Sequence, residues 1–126
     1  MFHGYTYSGH PVACAAGLAA LDIYEKENLF EWAIELEDPF AESLLSLKGL
    51  PNVIDIRNTG LVAAIELAPG KPGERGHKVF KHCYDNGVLV RWTGDILPMS
   101  PPLIIEPKHI DQLVSALREA ILLADK

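Results

Sequence analysis

The sequence contains few of the residues that mark specialised protein classes. Only two cysteines, Cys14 and Cys83, occur among its 126 residues, and they form no CxxC pair. This low count indicates neither a disulfide framework nor a cysteine-rich zinc module, and it favours a reducing, cytoplasmic location. Basic residues are also few, because 11 lysines and arginines stand against 17 acidic residues, for a net charge of −6. That charge has the wrong sign for a nucleic-acid partner.

Long hydrophobic runs are absent as well. The longest run covers residues 12–21, whereas a membrane-spanning helix needs about 20 apolar residues. A secretion signal would require a positively charged stretch before its apolar run, and no lysine or arginine precedes this one. The remaining composition, 48 % hydrophobic and 22 % charged, is that of an ordinary globular domain. We therefore expect neither a membrane partner nor export.

Histidine and cysteine do not form a metal-binding pattern. His10 and Cys14 lie on one segment, and His77, His82 and Cys83 lie on another. Neither group has the number and spacing of ligands that a structural or catalytic metal needs. We predict no metal site.

The first half of the chain predicts a loop, helices and a β-hairpin. Residues 1–11 lack apolar periodicity and predict a loop, and the alanine-rich residues 12–24 predict a helix buried on nearly all sides. Apolar residues at intervals of three and four over residues 29–47 predict an amphipathic helix. Pro39 interrupts it and predicts either a kink or two abutting helices. Residues 53–67, rich in β-branched side chains around a turn, predict the hairpin.

The second half predicts two helices joined by extended chain. Residues 69–76 are rich in proline, glycine and charge and predict a loop, and a helix over residues 77–84 follows. Residues 88–92 predict a strand, and residues 103–105 predict a shorter final strand. A terminal amphipathic helix begins at Pro107. This order predicts an α+β fold, with helices packed on a small antiparallel or mixed sheet.

Two places in the sequence offer polar groups for ligand binding. Tyr5, Thr6, Tyr7 and Ser8 supply hydroxyl groups directly ahead of a helix N-terminus, which is an anion-binding arrangement, although an ordinary surface loop has the same composition. Arg91 ends an apolar strand, where a long cation indicates either an anionic ligand or a salt bridge. These patterns alone leave the function open.

The chain resembles the class III aminotransferases of the ω-amino acid:pyruvate type, which depend on pyridoxal phosphate. The string HGYTYSGHPVACAAGLAAL carries the resemblance most specifically. VIDIRNTGLVAAIEL, NGVLVRWTGD and SPPLII follow in the order found in that family, and together the strings extend over essentially the whole chain. The resemblance implies the C-terminal part of such an enzyme. Residues 1–48 would then hold the phosphate loop and interdomain helices, and residues 49–126 the small domain of a fold-type I transferase.

The same resemblance assigns roles to particular residues. It implies that Tyr5 and Thr6 bind the cofactor phosphate across a dimer interface, although interface packing alone would also explain Tyr5 and Tyr7. It implies that Arg91 binds the substrate carboxylate and swings out for substrates that lack one, and the guanidinium fork suits a carboxylate. Arg57 stands where the family has an arginine followed by glycine, but Asn58 and Thr59 depart from that pattern, so the resemblance assigns Arg57 no role.

No catalytic residue is expected in this chain. None of its lysines lies in a segment like the lysine motif that binds the cofactor covalently. We therefore expect the chain to lack a large cofactor-binding domain and to be inactive alone. The complete enzyme, expected to be a homodimer or a higher homo-oligomer, would transfer an amino group from an amine or ω-amino acid to pyruvate or another keto acid. The alternative is a stand-alone α+β module that binds a small ligand or regulates another protein without catalysis.

Overall fold

The computed structural model describes residues 4–124, which form four helices and one sheet. The helices span Pro11–Lys26 (α1), Leu29–Leu45 (α2), Glu74–Asp85 (α3) and Pro107–Leu123 (α4). The strands span Val53–Thr59 (β1), Val62–Leu67 (β2) and Ile96–Met99 (β3). The strands form a 3-stranded antiparallel sheet in the order β1-β2-β3. The predicted α+β class is confirmed, and the sheet has no parallel pair.

The core forms where α2, α3 and α4 cover one face of the sheet. In β2, Ala63, Ile65 and Leu67 are buried, while the alternate residues are more exposed. The alternation fits a half-buried strand, in which successive side chains point to opposite faces. The helices contribute buried apolar side chains at helical spacing, namely Leu36, Phe40 and Leu44 from α2, Val79 and Cys83 from α3, and Ile110, Val114, Leu117 and Ile121 from α4. The hairpin and the three amphipathic helices are therefore where the sequence predicted them.

Helix α1 differs from its prediction. It was expected to be buried on nearly all sides, but none of its residues is buried. Val12 is 71 % exposed and Leu18 is 67 % exposed. The alanine-rich pattern is that of a helix covered by other protein, and the described residues do not supply that cover.

Helix α2 runs through Pro39 without dividing there. The expectation of two abutting helices at this proline is wrong, since the break in the helical region lies earlier, at Asn28, whose φ of 49° is left-handed. Proline lacks the N–H that would bond to the carbonyl of Glu35. Glu35 and Pro39 are both exposed, so water can satisfy that carbonyl.

Residues 88–92 do not form the predicted strand, and residues 103–105 do not form one either. Strand β3 lies further along, where Leu97 pairs with Ile65 of β2. Apolar β-branched residues favour extended backbone, but a strand also needs a neighbour to pair with. Residues 89–92 make no backbone hydrogen bond to the rest of the described chain. They are extended without being part of the sheet.

Candidate functional site

Thr6 lies in a turn of the loop that precedes α1. The Ser8 N–H donates to the Tyr5 carbonyl at 3.0 Å, and the Tyr5 N–H donates to Ser8 Oγ at 3.2 Å, so a tight turn encloses Thr6. His10 begins the helix, with its Nδ1 accepting from the Ala13 N–H at 3.4 Å. Thr6 is exposed, and its side chain makes no hydrogen bond within residues 4–124. A small hydroxyl donor is thus available to a ligand in the loop that leads into the N-terminus of α1.

The tyrosines on either side of Thr6 are also largely exposed. Tyr5 is 70 % and Tyr7 is 81 % exposed, and Tyr7 meets only the edge of the His10 ring, at 6.4 Å between centroids. Large aromatic surfaces left in water are typical of contact sites for another molecule or subunit. Cofactor binding and interface packing both remain predictions for Tyr5.

Arg91 lies in the extended segment that leads to β3. Its neighbour Val90 is buried in the core, with 4 % of its surface exposed, whereas Arg91 itself is exposed. The guanidinium forms neither an ion pair nor a hydrogen bond with the part of the chain that the structure describes. The alternative of a strand-end salt bridge therefore finds no partner there.

Arg91 borders a cleft of about 620 Å³. Its wall is mainly apolar, from Leu89, Met99, Pro101 and Leu113 among others. A single cation beside a mostly apolar cleft is the common composition of a small-molecule site, in which one polar group fixes the orientation of the ligand. The cleft is chemically suited to a small molecule that carries one carboxylate.

The residues after Arg91 are fixed to α3 by side chains. Trp92 stacks on Phe80, with ring centroids 4.2 Å apart and ring planes 28° apart. The Asp95 carboxylate accepts the backbone N–H of Gly73 at 3.3 Å and that of Gly76 at 3.0 Å. Asp95 therefore caps the N-terminus of α3 from a distant part of the sequence.

Arg57 differs from Arg91 because it forms ion pairs within the described chain. Its Nη1 lies 2.6 Å from an Asp55 oxygen and 2.9 Å from a Glu66 oxygen, across the exposed face of the hairpin. The hydrogen bonds that Arg57 donates to these two carboxylates raise its pKa above the ordinary value. These contacts hold the Arg57 side chain on the hairpin surface, whereas the Arg91 side chain has none of this kind among the described residues.

The histidines and cysteines singled out in the sequence lie apart from one another. His10 caps α1, His77 meets Trp92 at 5.2 Å between ring centroids, and Cys83 is in the core. Burial raises the pKa of the Cys83 thiol from 9.0 to about 11. Across residues 4–124, no three His, Cys, Asp or Glu side chains are grouped as metal ligands.

The lysines of the described chain are all exposed. Lys71 and Lys78 pair with Glu74, and Lys81 pairs with Asp85. A lysine that binds a carbonyl cofactor covalently needs a desolvated or electrostatically perturbed site, which these surface positions do not offer. Lys126 lies outside the described residues.

Sequence reasoning missed the residues that hold Arg91 in place. Trp92 was considered only as the end of a strand, and neither Phe80 nor Asp95 was considered as part of a site. Gly94 is a turn-forming residue, and together with Asp95 it lies directly before β3, which begins at Ile96. The contacts to α3 join residues far apart in sequence, and no local pattern reveals them.

These features match those of known proteins. The family model described as Aminotransferase class-III matches residues 1–121. This chain belongs to the class III aminotransferase family. It is 50 % identical over 123 residues to an omega-aminotransferase of Caulobacter vibrioides, covering 96 % of this chain and 28 % of the relative. It is 47 % identical over 121 residues to a beta-alanine–pyruvate aminotransferase of Pseudomonas aeruginosa, covering 94 % of this chain and 27 % of the relative.

Solved structures of class III aminotransferases agree with this assignment. An adenosylmethionine-8-amino-7-oxononanoate aminotransferase of Methanocaldococcus jannaschii matches with a TM-score of 0.90 at 36 % identity, covering 100 % of this chain and 31 % of that one. A thermostable omega transaminase of Pseudomonas jessenii matches with a TM-score of 0.87 at 34 % identity, covering 95 % and 28 %. The chain thus spans less than a third of the length of these proteins. Within residues 4–124, no helix has the length and hydrophobicity needed to cross a membrane.

Proposed function

We propose that this chain is the part of a pyridoxal-phosphate-dependent transaminase that binds the substrate carboxylate through Arg91 and the cofactor phosphate through Thr6. The complete enzyme would transfer an amino group from an amine or ω-amino acid to pyruvate or another keto acid. The observation that supports this most directly is the unpaired Arg91 guanidinium at the edge of an apolar cleft. The names of the relatives, which include beta-alanine and pyruvate, support the substrate class.

The residues present fit the phosphate end of the cofactor. Pyridoxal phosphate, when bound, supplies the electron sink for amino-group transfer. The Thr6 hydroxyl would donate a hydrogen bond to a phosphate oxygen, helped by the N-terminal dipole of α1. Tyr5 would border the same phosphate, because its backbone is fixed by Ser8 in the turn around Thr6. The covalent lysine would come from another part of the complete protein.

Arg91 would select and orient the substrate. A carboxylate can accept parallel hydrogen bonds from both sides of a guanidinium, which fixes its plane as well as its position. The apolar side chains of the cleft beside it would contact the rest of the substrate. When the substrate is an amine without a carboxylate, the unpaired side chain can turn away without breaking a contact within the described chain.

The exposed apolar side chains of α1 are the basis on which we propose two binding partners. Val12, Leu18 and Leu21 are each more than half exposed on α1, and such apolar surface is normally covered in a complete protein. We propose that the large cofactor-binding domain and a second subunit cover it, with residues 1–48 as the connecting segment and residues 49–126 as the small domain. The two free cysteines support a reducing, cytoplasmic setting.

Replacing Arg91 in the complete enzyme tests the proposal. Charge-assisted hydrogen bonds to a carboxylate are worth about 1.5–3 kcal/mol, or about 10- to 150-fold in affinity. Arg91→Ala should lower kcat/KM for pyruvate and β-alanine by about that factor and leave an arylalkyl amine much less affected. Stopped-flow measurement of each half-reaction would separate the two substrate classes.

A matched control is available in the same chain. Arg57→Ala removes an exposed arginine that contacts only Asp55 and Glu66, so it should leave both half-reactions unchanged. A parallel loss of activity toward carboxylates and amines in Arg91→Ala, accompanied by a lower melting temperature, would show that Arg91 is structural and would refute its proposed role.

A further inference from the structure

The segment that carries Arg91 is held in place by side chains alone. No backbone hydrogen bond joins residues 89–92 to the other described residues, since the neighbouring bonds are those of the Val88 and Thr93 N–H groups. An extended segment without such bonds has little to resist local movement. What fixes the backbone at Arg91 must therefore come from the two flanking side chains.

The side chains of Val90 and Trp92 pack against different parts of the protein. Val90 is inserted into the core with 4 % of its surface exposed. Trp92 lies against α3, where Phe80 stacks on it at 4.2 Å between centroids and His77 meets it edge-on at 5.2 Å. Offset-stacked rings at such distances contribute stability beyond their buried area. The backbone at Arg91 is therefore held on both sides, by Val90 and by Trp92, while the Arg91 side chain remains unpaired within the described chain.

We propose that Trp92 is a positioning residue for the substrate carboxylate, acting through Arg91. This inference rests on the carboxylate-binding role proposed for Arg91. Stacking on Phe80 fixes the backbone from which the guanidinium extends, and bidentate binding depends on that direction. Without the Trp92 ring, the backbone at Arg91 can occupy a wider range of positions. A smaller fraction of these positions would align both guanidinium N–H donors with the carboxylate.

The effect should appear in the KM for carboxylate substrates. The stacking of one aromatic pair corresponds to about 2- to 12-fold in an equilibrium constant. In the complete holoenzyme, Trp92→Leu should raise the KM for pyruvate by about that factor, with little change in kcat at saturation. The half-reaction with an arylalkyl amine should keep its kinetics, and Trp92→Phe should restore most of the pyruvate KM.

Two further variants separate positioning from stability. Phe80→Leu removes the other half of the stack, so it should raise the pyruvate KM as Trp92→Leu does, and combining the two should add little. Tyr84→Leu is the matched control, because Tyr84 also contacts Phe80, at 5.9 Å between centroids, but is not among the ring partners of Trp92 in the described chain. It should leave the pyruvate KM unchanged even if it lowers the melting temperature.

The possible outcomes are distinct. The inference is overturned if Trp92→Leu lowers activity toward amines and carboxylates equally, or if Tyr84→Leu raises the pyruvate KM as much. If Trp92→Leu does not fold, Phe80→Leu carries the same comparison, because it removes the other ring of the stack. A normal pyruvate KM in Arg91→Ala would instead refute the proposed function and the inference together. A raised KM in Arg91→Ala with a normal one in Trp92→Leu would refute the inference alone.

Discussion

Gly76→Ala tests the contact that brings the Arg91 region onto α3. Gly76 lies in the first turn of α3, and a Cβ atom added there would be 2.3 Å from the carbonyl oxygen of Gly94. That oxygen belongs to the backbone and cannot rotate away. Overpacking of this kind costs about 1–3 kcal/mol, whereas alanine in place of a helical glycine gains about 0.5–1 kcal/mol. The two ranges leave a net loss of up to about 2.5 kcal/mol in the free energy of unfolding, and the 2.3 Å approach to a backbone atom favours the upper half of that range.

Urea unfolding followed by circular dichroism would measure this loss. Gly17→Ala is the matched control, because Gly17 is also helical and an added Cβ there would have nothing within 4 Å. The control should be neutral or more stable by up to about 1 kcal/mol. If Gly76→Ala is as stable as the original chain, the close approach of α3 to Gly94 is not present in solution and our account of the Arg91 support is wrong.

The remaining predictions concern the lysines and the two cysteines. Because every lysine in residues 4–124 is exposed, pyridoxal phosphate followed by borohydride should leave no one-to-one adduct on the isolated chain by mass spectrometry, and such an adduct at one lysine would contradict this. Cys83 should alkylate far more slowly than the exposed Cys14, and equal rates would contradict its burial. Since burial raises the Cys83 pKa from 9.0 to about 11, the stability it contributes should be present below pH 9.0 and lost as pH rises through about 11.

Local sequence patterns predicted the elements that depend on local periodicity. The hairpin, α3 and α4 each bury one regularly spaced set of side chains, and α3 ends at Gly87, whose φ of 80° suits glycine. The start of α3 was placed too late because its N-terminus is capped by Asp95. That carboxylate is distant in sequence, so the first turn has no visible cap of its own.

The errors at α1 and at residues 88–92 have a common cause. Both segments were correctly interpreted as apolar from their composition. Which other part of the protein covers a segment or pairs with it depends on residues that are distant in the sequence. None of the described residues buries the alanine-rich α1. Residues 88–92 are extended but have no pairing neighbour. For the site, the hydroxyl loop and Arg91 could be found by resemblance, whereas Trp92 and Asp95 required the tertiary contacts.

The contrast between Arg57 and Arg91 bears on the two roles proposed for Arg91, which are to bind a carboxylate and to turn away from other substrates. Arg57 is held by two carboxylates through its Nη1, so turning that side chain would first require those bonds to break. Arg91 has no such bonds within the described chain, and its reorientation costs mainly rotamer entropy, about 2 kcal/mol at most. An arginine that must bind carboxylates and also turn away for other substrates needs a free side chain on a fixed backbone. The fixed backbone is supplied by Val90 in the core and Trp92 on α3, which is why we expect damage to that support to affect carboxylate substrates first.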